Sequence, residues 1–154
     1  MKKLLTKKNK INLFTIGFTQ KTAQDFFQLL INNKVQKLID VRLNNVSQLA
    51  GFTKKKDLEY FLKIIADIQY EHNLDLAPNQ EILTPYKKVH KDWSIYEEQF
   101  IDLITQRQIA TKLSLPSLAN SCLLCSEAVP IHCHRRLVAE YLQLHWENIK
   151  IIHL

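Results

Sequence analysis

The chain predicts a single α/β domain: a mostly parallel sheet of about five strands with helices on both faces. Three observations carry that expectation. Short apolar runs rich in β-branched residues alternate with segments of helical periodicity along the whole length. The intervals between those runs are long enough for the crossovers that parallel strands require. The 154 residues, 46% apolar and 23% charged, include only two glycines and four prolines, which suits one packed core and leaves little room for low-complexity loops.

The elements follow in order. "INLFTIGF" (11–18) reads as a buried strand ending at Gly17. Thr22 then opens a helix, with Asp25 in the capping position and Ala23, Phe26, Phe27, Leu30 and Ile31 along its apolar stripe. "VQKLIDVRL" (35–43) is a second strand, too short for a full helix. Leu58, Phe61, Leu62 and Ile65 recur at helical spacing and mark a second helix. "IQYEHNLDL" (68–76) reads as a third strand, and "LAPNQEILTPYKKVHKDW" (76–93) as mixed turns and short helices. Ser94 begins a helix running through Leu113. "SCLLCSE" (121–127) is a fourth strand, "CHRRLVAEYLQLHW" (133–146) a helix and "IKIIHL" (149–154) the last strand.

In such sheets ligand sites gather beyond the carboxyl ends of the strands. Gly17, Asp40-Val41-Arg42 and Ser126-Glu127 all close strands, and His132 to Arg136 begin the following helix. These polar residues are expected to converge on one edge.

The formal charge of +6 is concentrated at the start of the chain. Lys2, Lys3, Lys7, Lys8 and Lys10 lie in residues 1–10, so the domain from 11 to 154 is close to neutral. Residues 1–10 read as a flexible basic arm, which could add salt-sensitive affinity for a phosphate backbone. No stretch approaches the ~20 apolar residues of a membrane span. The basic start lacks a small-residue cleavage site, and three cysteines suit a reducing compartment, so a cytoplasmic protein is expected.

The segment "CLLCSEAVPIHCHRR" (122–136) concentrates the chemistry. Cys122 and Cys125, with His132, Cys133 and His134, have the residue types of a zinc site. On a strand, however, residues three apart face opposite sides, and no glycine is available to form a knuckle. No metal or cofactor is therefore expected. A phosphate cradle of the Cys-x5-Arg kind fails too, because Ala139 occupies the arginine position. The start of a helix nevertheless favours an anion, and Arg135 and Arg42 are placed to add a bidentate grip. The same residues could instead form arginine–carboxylate pairs with Asp40 and Glu127 that lock the strand ends. Tyr86, Trp93 and Tyr96 lie near Lys87, Lys88 and Lys91, where they could stack bases or anchor a long connection to the core. His145 falls on the apolar face of its helix and reads as a core group, while His153 could reach the site edge.

"TIGFT", "LIDVRLNNVSQLAGF", "LLCSEAVPIHCHRRLVAEYL" and the closing "IIHL" together resemble the domain of unknown function family 488, over nearly the whole chain. The resemblance implies a compact α/β domain of bacterial or archaeal cytoplasm and carries no general activity with it. It marks Gly17, Asp40, Arg42, Cys125, Glu127, Cys133, His134 and Arg135.

Three uses of these residues remain open. The first is an enzyme on a phosphorylated, nucleotide or nucleic-acid substrate, with Arg42 and Arg135 binding the anion, Glu127 or His134 moving a proton and Cys133 as nucleophile. Gly17 and Asp40 would shape that ligand site. The second is a non-catalytic nucleotide or nucleic-acid binding module. The third is a structural lock of buried thiols and paired charges.

Overall fold

The computed structural model describes residues 9–46, 51–90 and 92–154. The basic arm proposed for residues 1–10 therefore lies almost wholly outside the described residues, as does Lys91.

Five strands form one sheet: β1 (Ile11–Gly17), β2 (Lys37–Asp40), β3 (Gln69–His72), β4 (Ser121–Cys125) and β5 (Ile149–His153), in the order β3-β2-β4-β1-β5. Every pairing is parallel. The helices are α1 (Ala23–Asn32), α2 (Lys55–Phe61), α3 (Gln80–Pro85), α4 (Trp93–Gln106), α5 (Ile109–Lys112), α6 (Leu115–Leu118) and α7 (His134–His145).

Handedness explains which helix covers which face. The crossovers β1–β2 and β2–β3 move one way along the sheet, whereas β3–β4 and β4–β5 move the other way. A single hand of crossover then places α1 and α2 on one face and α4 and α7 on the opposite face. The two cores match this. Phe14, Ile16, Leu38, Cys122 and Leu124 pack with Phe26, Phe27 and Leu30 of α1 and Leu58 of α2. Leu13, Ile39, Leu123 and Cys125 pack with Tyr96, Phe100 and Ile104 of α4 and Leu137, Val138 and Leu142 of α7. Neighbouring strands β1 and β4 thus send their chains to opposite faces, and a crevice opens beyond their carboxyl ends. Gly17 and Cys125 are register partners at that point.

Several boundaries differ from the periodicity. β2 stops at Asp40, because Arg42 turns back onto the Asp40 carboxylate. β3 stops at His72, where Asn73 caps a tight turn by accepting from the Asp75 N–H. α2 passes into a wider π turn at Leu62–Ala66, whose added residue rotates Ile65 out of the stripe to 49% exposure. α4 is capped by Asp92 rather than Ser94, the Asp92 carboxylate accepting from the Ser94 N–H. The expected single helix to Leu113 is broken at Gln108, which is left-handed (φ 54°), while Arg107 reaches away to the carbonyls of Leu74, Asp75 and Ala77. His145 is exposed at the end of α7 against Trp146 and is not a core group.

A cleft at the carboxyl edge of the sheet

The loops after β1 and β4 are tied together over the crevice. The Thr19 N–H donates to the Ser126 carbonyl at 3.1 Å, and the Thr19 hydroxyl donates to the same oxygen. Gly17 lies directly beneath: a Cβ there would sit 1.7 Å from the Glu127 carbonyl oxygen. Close approach of backbone, not an unusual φ, is what requires glycine at this position.

Arg135 holds that carbonyl. Its Nη1 donates to Glu127 O at 2.6 Å and its Nε to Thr15 Oγ1 at 3.3 Å, while Nη2 is buried without a partner. The side chain is fully buried and makes no ion pair among the described residues. Arg135 therefore engages Glu127 through its backbone, not its carboxylate. Glu127 is exposed and lines the cleft, and its carboxylate forms no hydrogen bond or ion pair among the described residues.

Asp40 and Arg42 form a separate buried unit. Arg42 Nε and Nη2 donate to the two Asp40 oxygens at 2.9 and 2.8 Å, and the Arg42 N–H adds a third bond at 3.1 Å. Nη2 also donates to the Thr53 carbonyl, and the guanidinium lies over the Phe18 ring at 5.2 Å. The Tyr70 hydroxyl donates to Asp40 at 2.7 Å and accepts from Asn45 Nδ2 at 3.1 Å. Burial, and then the Asp40 carboxylate, push the Tyr70 hydroxyl well above its ordinary range. His72 Nε2 donates to the Arg42 carbonyl at 2.7 Å. Asp40 is thus fully bonded within the fold, and Arg42 borders the cleft as part of that unit.

Cys122 and Cys125 face opposite sides of β4, as strand geometry requires. Cys125 is instead grouped with Cys133 and His134: their ligand atoms all lie within 4.8 Å of one another. His134 Nε2 is 2.7 Å from the Val41 carbonyl, which can only accept, so Nε2 carries the proton and Nδ1 presents a lone pair to Cys125 Sγ at 3.5 Å. Burial holds the His134 imidazole below its usual range. The two thiols share a hydrogen bond, which lowers Cys125 and raises Cys133. Burial drives the isolated Cys122 thiol far up.

Cys125, Cys133 and His134 border a cavity of about 870 Å³. Phe18, Thr19, Lys21 and Glu127 line it, together with Tyr86, Lys87, Trp93, Tyr96 and His132. Trp93 stacks against Tyr96 and against His132, in each case with ring centres 5.1 Å apart, and His132 is exposed. Tyr86, Trp93 and Tyr96 thus both anchor their connection to the core and line the cleft. Burial, and then the Arg135 charge, lower the Lys21 ammonium below its ordinary range. His132, expected at this edge as one of a set of metal-type ligands, instead stacks on Trp93; sequence reasoning missed Lys21, although it follows Gly17 in the loop that leaves β1. It also missed Tyr70, whose hydroxyl is tied to Asp40 only by the β2–β3 pairing.

His153 reaches the same edge, its Nδ1 lying 2.6 Å from Thr15 Oγ1. Burial, and then repulsion from Arg135, hold its imidazole below the ordinary value. The unfolded chain, titrating near 6.5, takes up this proton first, so the contribution to stability is complete above about pH 6.5 and declines as pH falls through that value. The urea midpoint is expected to drop between about pH 7.5 and 5.5, and His153→Gln to reduce that drop. An unchanged slope in His153→Gln would show that the ring titrates normally.

Among the described residues no helix is long and apolar enough to cross a membrane. A family model described as domain of unknown function DUF488 matches residues 22–142. That span contains Asp40, Arg42, Cys125, Glu127, Cys133, His134 and Arg135, while Gly17 lies just before it. No curated protein and no solved structure matches the chain.

Proposed function

The chain belongs to the DUF488 family, a domain of unknown function, and from that premise we propose that its cleft binds a nucleotide-like ligand, an aromatic ring joined to a phosphate. The observation that carries this reading is the charge balance of the wall. Arg135 is a fully buried guanidinium with, among the described residues, one unpartnered nitrogen and no carboxylate, directly behind Glu127 and beside Lys21. A buried cation without a counter-ion is costly, and a bound anion relieves that cost. Lys21 and Lys87 reach the cleft itself, against the single carboxylate of Glu127, since Asp40 is neutralised by Arg42. The first turn of α7 adds the positive end of a helix dipole. The ring of the ligand would continue the Tyr96–Trp93–His132 stack at its exposed end.

A catalytic role rests on one group, Glu127. Glu127 lines the cleft with a carboxylate that forms no bond among the described residues, and it is the group placed to move a proton to or from a bound ligand. His134 and Cys133 face each other and Cys125 rather than open solvent.

Thermal melting against AMP, adenosine and inorganic phosphate tests the reading. AMP is expected to raise the melting temperature, with adenosine and phosphate each weaker. Lys21→Ala should weaken AMP about tenfold or more, the loss of a charge-assisted contact of ~1.5–3 kcal/mol. His132→Ala should weaken it about five- to hundredfold through lost stacking. A wild-type protein unmoved by any nucleotide overturns the proposal. Equal affinity for AMP and adenosine overturns the phosphate end of it.

A further inference from the structure

We propose that Cys125, Cys133 and His134 form a transition-metal site of the two-cysteine, one-histidine kind suited to zinc, with its fourth position open to the cleft. Cys125 ends β4, and Cys133 and His134 open α7, so the crevice between sheet and helix brings together groups that the sequence separates. The three ligand atoms lie within 4.8 Å of one another. The 3.5 Å between Cys125 Sγ and His134 Nδ1 matches the edge of a tetrahedron whose metal bonds are about 2.3 Å to sulfur and about 2.0 Å to nitrogen.

The surroundings fit a metal in two further ways. His134 donates its other ring N–H to the Val41 carbonyl, which fixes the tautomer and aims the Nδ1 lone pair at the sulfurs. That is the outer contact metal-bound histidines ordinarily make. Charge also balances. Two thiolates and a neutral imidazole around a divalent ion sum to zero, which is the arrangement a buried site tolerates. Cys133 is not committed to capping, since it opens α7 without any side-chain capping bond.

All three residues border the cavity, so an ion held by them keeps one side towards it. Three protein ligands and one exchangeable position are what distinguish reactive zinc sites from closed structural ones. The fourth ligand is then water or an oxygen or nitrogen of a molecule in the cleft. This assignment stands apart from the nucleotide reading, because it depends on none of Lys21, Lys87, His132 or Arg135.

The test is a cobalt titration of the full chain after chelator treatment and dialysis under reducing conditions. One equivalent of Co²⁺ is expected to produce an intense thiolate-to-cobalt charge-transfer band and the visible bands of a tetrahedral ion, both removed by one equivalent of Zn²⁺. Cys133→Ser and Cys125→Ser should each lose the charge-transfer intensity or halve it, while Cys122→Ser, on the other face of β4, retains it in full. Should Cys125→Ser fail to fold, Cys133→Ser and the wild-type spectrum decide alone, because position 133 opens a helix where serine is favoured. No charge-transfer band in wild type, or one unaltered in a folded Cys133→Ser, overturns the site. AMP melting of the metal-free protein reports on the nucleotide reading separately.

Discussion

Gly17→Ala is expected to be the most damaging small substitution in the protein, costing more than about 4 kcal/mol of stability or abolishing folding. The added methyl would lie 1.7 Å from Glu127 O and 3.2 Å from Arg135 Nη1. The first neighbour is backbone, held by Arg135 Nη1 at 2.6 Å and by the Thr19–Ser126 bond beside it. The β4–α7 connection must move, and a buried guanidinium then loses its one strong acceptor. Gly51, where an added Cβ meets nothing within 4 Å, supplies the control: Gly51→Ala should change stability little. Urea unfolding of both variants measures the contrast. A Gly17→Ala loss below about 1 kcal/mol would show that the close approach is not kept in solution.

Asp40→Ala should cost about 3–5 kcal/mol, because it strands the buried Arg42 guanidinium. Two charge-assisted side-chain bonds and the Arg42 N–H bond disappear together, and the Tyr70 hydroxyl loses its acceptor. The double variant Asp40→Ala/Arg42→Met removes both charges and should recover part of the loss. Chemical unfolding of the two singles and the double gives the coupling directly. Strict additivity would mean that the pair contributes independently and is no lock. Ligand responses should survive in whichever of these variants folds, since Lys21, Lys87 and His132 lie outside the unit.

The sheet was legible because buried strands and amphipathic helices leave local patterns. The run at 121–125 is wholly buried and "INLFTIG" nearly so, and both read as strands from composition alone. Thr22 capped α1 as its residue type implies, through the Asp25 N–H. Boundaries were less legible where a contact distant in sequence ended an element. Arg107 engages the loop after β3 across about 30 residues, and α4 stops there, although the apolar spacing continues to Leu113.

The polar residues at strand ends were also legible as one edge, but their partners were not. Arginine–carboxylate spacing suggested Glu127 as the mate of Arg135, whereas the structure uses the Glu127 carbonyl and frees the carboxylate. Cys122 and Cys125 were legible as residues on opposite faces of their strand, and the sheet does separate them, but the partners of Cys125 were not legible. Cys125 meets Cys133 and His134 instead, a grouping that depends on how the 126–133 turn folds back.

The sequence by itself determined the alternation of strands and helices, the faces of those helices and the edge where polar groups collect, since each follows from the period-2 and period-3.6 spacing of apolar side chains. Only the tertiary structure decided strand order, which carbonyl Arg135 holds, and which three side chains meet at the floor of the cleft. Those outcomes depend on the direction of each crossover and on distances of a few ångströms between residues far apart in the chain, and no local spacing encodes them.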